Sequence, residues 1–271
     1  MKAVFEIMPD NINAGKCDLV CEVNNEGFSY LIKDCEANTY IGLAVYNFNT
    51  IIPVNHISLL QKIFESQELL SEDFRKVNVI YSFPESVLVP FSLYNSTANA
   101  GVLSMVHGDF TENDVILTDV LLDHKVYNCY RMPSEIIREI NNKFPTCKAV
   151  HQYTALMKNL SAGNKLSVIF YPQKIVLTVE KEGELLLINS FHYRTAEDVS
   201  YTLLNVCRQL EIENMPLEVS GLIEKESTLY KEIYKYFDPV SFTNLPAGIN
   251  FSDEMNQYPS HFFSHFFSVD S

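Results

Sequence analysis

VIFYPQKIVLTVEKEGELLLINSFHY, Val168–Tyr193, is the stretch on which the reading of the fold turns. It supplies three strand-like runs, Leu166–Phe170, Ile175–Val179 and Leu185–Phe191, rich in β-branched, leucine and aromatic residues. Pro172–Lys174 and Glu182–Gly183 provide the turns. Leu185, Leu187 and Phe191 point to one face and Leu186 and Ile188 to the other. Strands apolar on both faces belong in a sheet covered on both sides. Thr195 is placed to cap a helix whose apolar face is Val199, Leu203, Val206 and Leu210. Pro216–Ser220 reads as the next strand. Ser227 caps a helix carrying Leu229, Ile233, Tyr236 and Phe237, and Val240–Phe242 forms a last strand.

The same order occurs earlier in the chain. Leu19–Val23, Phe28–Ile32 and Tyr40–Phe48 read as strands, with Asn24, Asn25, Glu26 and Gly27 turning between the first two. Asn55 is an N-cap candidate ahead of Ile57, Leu60, Ile63, Phe64 and Leu70 at helical spacing, and Val77–Phe83 is a strand ended by Pro84. Both halves therefore read strand, strand, strand, helix, strand, which is a duplication visible as patterning. Two unrelated α+β domains sharing a strand order are the alternative.

Between the halves lies a segment of different pattern, about 84–145. It holds a short strand at Ser86–Val89, a helix within Ser92–His107, and a hairpin of Asp114–Leu122 with Lys125–Arg131. Pro133 is expected at the first position of a helix bearing Ile136, Ile137 and Ile140. Thr146–Val150 returns to the first sheet, and Ala149, Tyr153, Leu156 and Leu160 define a helix closed by Gly163. The expected organisation is a first lobe over 1–163 with this insertion, a second over 164–243, and a tail over 244–271.

Composition narrows the function classes. The 271 residues carry a formal net charge of -14, from 34 acidic against 20 basic side chains, without a basic run. Nucleic acid and anionic membrane surfaces both require clustered Lys and Arg, so neither is an expected partner. The N-terminal MKAVFEIMPDNINAG lacks an apolar signal core, and no stretch approaches the length of a membrane span. Cys17, Cys21, Cys35, Cys129, Cys147 and Cys207 form no Cys-x-x-Cys pair, which fits reduced thiols in a cytoplasmic protein.

The duplicated three-strand, helix, strand unit with an insertion in its first half resembles the actin-like (ribonuclease H-like) ATPase fold. It is most similar to the branch of PilM, GspL and FtsA, bacterial cytoplasmic assembly proteins. NVIYSFPESVLVP (Asn78–Pro90) stands where that branch places a strand and a proline before its inserted subdomain. YRTAEDVSYTLLNVCRQL followed by PLEVSG looks like the second-lobe helix and strand. The chain also resembles a family of uncharacterised bacterial proteins assigned an actin-like fold. The resemblance covers about 17–243 and rests on element order. It implies an α/β protein of two βββαβ lobes with a small α+β subdomain inserted in the first.

The resemblance implies a nucleotide site only where residues match, and here they depart from the pattern. The first phosphate-binding Asp-x-Gly falls at Glu22-Val23-Asn24, which keeps a carboxylate and loses the glycine. The second is replaced by Tyr171-Pro172-Gln173. Proline has no N–H for a phosphate, and a neutral phenol cannot orient a metal-bound water as a carboxylate does. Ser220-Gly221-Leu222 keeps one glycine of the expected adenosine pair. Phosphoryl transfer is positioning and charge neutralisation, so efficient ATP hydrolysis is not expected, and no cofactor or metal is implied.

Other signals have plain explanations. Gly15-Lys16-Cys17 lacks the rest of a P-loop. His107 and Asp109 flank Gly108 in what reads as a helix-end turn, His192 ends a strand, and Glu22 suits a strand-end carboxylate bonded to turn N–H groups. The tail YPSHFFSHFFSVDS is the most unusual local feature. As a helix it groups His261 with His265, Phe262 with Phe266 and Phe263 with Phe267. Two histidines are too few for a metal site. The segment either packs on its own domain or anchors a partner or second copy through Phe262, Phe263, Phe266 and Phe267. The preceding NLPAGINFSDEMNQYP reads as an irregular connection.

Two functions fit these residues. One is a non-catalytic cytoplasmic actin-fold protein that works through protein–protein contact, as a monomer or homo-oligomer. The other is a nucleotide-binding ATPase or sensor that uses Glu22, Asn24, Gly221 and Lys174. Lys174 has the charge to meet a phosphate and equally suits a solvated turn.

Overall fold

Strand order repeats in two separate sheets of the computed structural model, which describes residues 2–48, 54–160 and 163–269. Contacts divide the chain into two units: Met1–Lys158 with Gly248–Gln257, and Asn159–Ala247 with Tyr258–Ser271. The expected tail is thus shared, its first part grouped with unit 1 and its last with unit 2.

Unit 1 begins with β1 (Phe5–Ile7), β2 (Cys17–Val23), β3 (Gly27–Asp34), β4 (Thr39–Asn47), α1 (Val54–Ser66) and β5 (Lys76–Tyr81). It continues with β6 (Ser86–Pro90), α2 (Asn99–His107), β7 (Asp114–Leu121), β8 (Val126–Pro133), α3 (Ser134–Lys143), β9 (Lys148–His151) and α4 (Gln152–Lys158). Unit 2 holds β10 (Lys165–Phe170), β11 (Lys174–Lys181), β12 (Glu184–His192), α5 (Ala196–Gln209), β13 (Leu217–Gly221), α6 (Thr228–Ile233) and β14 (Val240–Phe242). The chain then returns to unit 1 as β15 (Asn250–Phe251).

The unit 1 sheet runs β1-β4-β3-β2-β5-β9, and that of unit 2 runs β12-β11-β10-β13-β14. In each, three consecutive strands pair antiparallel, and two further strands join parallel to the first. The segment β4-β3-β2-β5-β9 therefore has the order and directions of β12-β11-β10-β13-β14. Two equivalent βββαβ cores result. A third sheet, β6-β8-β7, is antiparallel throughout.

The central strands β2 and β11 are buried on both faces, and one face of each sheet packs on helices. Leu166, Val168 and Phe170 pack with Val199, Leu203 and Val206 of α5 and Ile233 of α6. Leu19, Cys21 and Val23 pack with Leu60, Ile63 and Phe64 of α1 and Ile136 and Ile140 of α3. Thr195 caps α5 as expected. Its hydroxyl accepts from the Asp198 amide at 3.2 Å, and the Asp198 carboxylate accepts from the Thr195 amide at 3.0 Å, a reciprocal capping box. Ser227 caps α6 in the same sense, accepting from the Tyr230 amide at 3.1 Å.

Several local expectations shift. The helix expected within Ser92–His107 is confined to Asn99–His107, because Asn95 accepts from the Thr97 amide and hydroxyl and so holds a turn ahead of it. Pro133 ends β8 and caps α3 rather than opening it, since its ψ of 127° is still extended. Ala149 lies in β9, paired with Val79, and α4 ends at Lys158, so Gly163 does not close that helix. Asn55 falls inside α1, and the residues just before that helix lie outside those described. The connection expected to be irregular contains β15, which pairs with Thr39 and Tyr40 of β4. All six cysteines are free thiols. Among the described residues, no helix is long and apolar enough to cross a membrane, and no three His, Cys, Asp or Glu side chains group as metal ligands.

Thr195→Ala removes the cap hydroxyl while leaving the core intact. It should lower unfolding free energy by about 1 kcal/mol, read as a reduced urea midpoint at unchanged m-value.

Candidate functional site

Open α/β sheets bind ligands beyond the carboxyl ends of their strands, so the strand ends of each unit are the places to look. In unit 1 those ends lie side by side, with Val23 opposite Tyr81 and Tyr81 opposite His151. Glu22 is only 1% exposed, and Asn24 is buried beside it. The Asn24 side-chain oxygen accepts from the amides of Glu26 at 2.7 Å and Gly27 at 2.9 Å. Its own amide donates to the Gly27 carbonyl at 3.1 Å, and its side-chain nitrogen to Glu22 Oε1 at 3.4 Å. The turn amides are thus engaged inside the chain. Gly27 serves packing, since a Cβ there would stand 2.0 Å from the Tyr46 carbonyl oxygen.

Three further polar residues meet at these strand ends, and the sequence reading missed them. Ser82 donates to the Gln152 side-chain oxygen at 2.6 Å. The fully buried His151 donates from Nε2 to the Phe83 carbonyl at 2.8 Å and accepts at Nδ1 from the Tyr153 amide at 3.1 Å. Those two bonds define its tautomer. Its ring lies between Tyr130 and Tyr153. The available signal was position alone, each residue following an apolar strand run.

The strand ends of unit 2 carry the departures seen in the sequence. Tyr171 is buried, and its amide donates to the Lys174 carbonyl at 2.9 Å, closing the turn through Pro172 and Gln173. Tyr193 donates its hydroxyl to the Tyr171 carbonyl at 2.7 Å. Lys174 is 3% exposed, with its ammonium 4.8 Å from the Tyr171 ring centre. A solvated turn lysine is therefore not what the structure holds. Gly221 pairs with Phe170 and has a φ of +77°, and a Cβ there would lie 2.3 Å from the Phe170 carbonyl oxygen. Only glycine suits that position. The same carbonyl accepts from the Leu222 amide at 2.8 Å, and the Ile223 amide bonds back to Gly221.

Residues 258–269 lie at this edge, packed against β13. They form short 3-10 turns, Ser260–Phe262 and Ser264–Val269, rather than the α-helix on which the four-residue spacing was read. The buried His261 donates from Nε2 to the Ile223 carbonyl at 2.8 Å and lies 4.2 Å from the Phe242 ring. His265 stands edge-on to Tyr171 at 5.5 Å. Phe263, Phe266 and Phe267 are buried and Phe262 is half-buried, so the four do not form an exposed aromatic face.

The four residues of the nucleotide alternative fall two to a unit, Glu22 with Asn24 and Lys174 with Gly221. The remaining candidates make local contacts or lie at the surface. His107 bonds to the Ser86 carbonyl, and Arg131 donates to the carbonyls of His107 and Gly108 at the end of α2. Lys16 pairs on the surface with Glu36, and His192 is exposed.

Burial lowers the pKa of His261 below its ordinary 6.5, opposed by the bond to the Ile223 carbonyl. A depressed histidine contributes stability above its unfolded pKa and loses it as pH falls through the folded value. Stability should therefore decline as pH falls below the ordinary histidine range, with a shallower decline in His261→Gln, as urea titrations at neutral and mildly acidic pH would record. Gly221→Ala places a Cβ against the Phe170 backbone and should cost about 3 kcal/mol, measured by denaturant unfolding.

Comparison with known proteins fits this topology. Residues 9–240 match the model of the family described as "Protein of unknown function (DUF3822)". No curated protein matches. Among solved structures, a Bacteroides thetaiotaomicron protein with an actin-like ATPase fold and unknown function aligns with a TM-score of 0.75 at 22% identity, over 88% of this chain and 94% of that one. The PilM-PilN type IV pilus biogenesis complex aligns with a TM-score of 0.56 at 10% identity, over 95% and 97%. The ethanolamine utilization protein EutJ from Carboxydothermus hydrogenoformans gives 0.50 at 8%, over 98% and 92%. The chain thus has the actin-like ATPase fold.

Proposed function

We propose that this chain, which belongs to the DUF3822 family of proteins of unknown function, is a non-catalytic actin-fold protein that acts in the cytoplasm through protein–protein contact. The observation that carries the reading is the occupancy of the unit 2 strand ends by the chain itself. Tyr171 and Lys174 are buried there against one another, and His265 packs on Tyr171. In actin-like ATPases the hairpin at this place binds phosphate through an Asp-x-Gly. Here Pro172 lacks the N–H, and the neutral Tyr171 cannot order a magnesium-bound water.

Unit 1 supports the same reading. The turn amides of Glu26 and Gly27, which a phosphate would need, bond to the Asn24 side chain instead. Displacing that side chain would leave its own buried oxygen to be satisfied elsewhere. A relative of the same fold is found in a protein complex, PilM with PilN. That supports protein contact by analogy of fold alone. The partner here is a protein or a second copy.

One observation favours the second reading, a nucleotide sensor. Glu22 is a buried carboxylate at a strand end, and Gly221 is kept. Thermal unfolding with ATP and Mg²⁺ separates the two. A ligand at roughly a hundredfold its Kd adds about 2.7 kcal/mol, which raises Tm by several degrees. At millimolar nucleotide we expect no change in Tm. A rise that disappears in Glu22→Ala would overturn the non-catalytic reading in favour of the sensor.

A further inference from the structure

Residues 260–267 are a tetrapeptide written twice, Ser260-His261-Phe262-Phe263 and Ser264-His265-Phe266-Phe267. The two copies share two features, although Phe262 is half-buried where Phe266 is buried. In each, the last phenylalanine is buried, Phe263 at 1% and Phe267 at 5% exposure. In each, the histidine addresses a residue just beyond a strand. His261 bonds to the Ile223 carbonyl, two residues after β13 ends, and His265 packs on Tyr171, the residue after β10. β10 and β13 are hydrogen-bonded neighbours, with Phe170 opposite Gly221. Two successive copies of one sequence thus meet two adjacent strand ends.

The turns of this segment are closed by local backbone bonds, from the Phe262 amide to Pro259, Phe263 to Ser260 and Phe266 to Phe263. It belongs to none of the sheets. Side-chain burial, the His261 bond to Ile223 and ring contacts with Phe242 and Tyr171 help to seat it. These features are those of a peptide in a groove, with aromatic anchors at a fixed spacing.

We propose that the strand-end surface formed by Tyr171, Ile223 and Phe242 is a binding site for a Ser-His-Phe-Phe repeat, filled in cis by residues 258–269, and that the occupant in trans is the same segment of a second copy of this chain. The inference rests on the reading of the chain as a protein-contact module and names the contact. A swapped segment makes the same contacts as the resident one, and exchange is opposed by the high effective concentration of the tethered copy. The resident segment therefore acts as a competitor that keeps the site closed.

The test is a fluorescence-anisotropy titration of a labelled peptide of residues 258–269 against full-length protein. Wild type should bind it weakly, because the resident segment competes. Full-length Phe263→Asp, whose own segment is expelled, should bind the wild-type peptide at least about tenfold more tightly. A peptide carrying His261→Ala and Phe263→Ala should bind neither. Equal affinity for wild type and variant, or no binding to a variant that circular dichroism shows to be folded, would overturn the proposal.

Hydrogen exchange on wild type gives a second readout that needs no variant. The amides of residues 260–267 should exchange through a local opening, faster than those of β10 and β13. Exchange of that segment only together with the strands would make it a fixed part of the core and overturn the proposal. Failure of either experiment without a nucleotide-dependent rise in Tm removes this site and leaves the broader protein-contact reading standing.

Discussion

The close approach of Gly221 to the Phe170 carbonyl governs the strand ends of the unit 2 sheet. The absent side chain lets β13 end directly against β10, at a φ of +77° that other residues avoid. That turn sends the Leu222 amide back to Phe170 and leaves the Ile223 carbonyl free to accept from His261. On the other side of β10, the Tyr171 amide closes the turn to Lys174. The placement of both histidines follows from those two strand ends. A glycine that the resemblance assigns to an adenosine site thus has a sufficient reason in backbone geometry.

The fold and the phosphate chemistry of actin-like proteins have different physical requirements. The sheets need alternating apolar residues, turns and helices that cover them. Leu166, Val168 and Phe170 against Val199, Leu203 and Val206 meet that need. Holding a phosphate needs free amides, a glycine and a carboxylate at the strand ends, none of which contributes to burial. Pro172 is compatible with the turn that it occupies and incompatible with donating to an anion. The Tyr171-Pro172-Gln173 turn therefore leaves the hydrophobic pattern of the hairpin unaltered.

Several polar residues at these ends bond within the chain. Asn24 bonds to two turn amides and to Glu22, Ser82 to Gln152, and His151 through both ring nitrogens. Buried polar groups that are left unpaired are costly, and fully paired networks make a region rigid. The strand ends of unit 1 thus have the character of a closed network. Lys174 is buried in unit 2 on the same principle, its charge set over an aromatic face.

Much of the architecture was legible because secondary structure is written in short-range patterns. Alternation marked β10, β11 and β12, the Thr195 capping box marked the start of α5, and the repeated order of elements marked the duplication. Local patterns also misled where distant pairing overrode them. Ala149 has helical spacing with Tyr153, but pairing with Val79 draws it into β9. β15 has two residues, too few for any periodicity, and exists only because β4 lies beside it. The site was less legible for the same reason. Ser82 and Gln152 are 70 residues apart, and His261 and Ile223 are 38 apart, so no spacing rule links them. The sequence by itself determined most of the strands and helices and their repeated order, because those are written in short-range patterns. Tertiary structure alone decided that Lys174 is buried and that Phe263, Phe266 and Phe267 turn inward, because burial is a property of what folds over a residue and not of its neighbours along the chain.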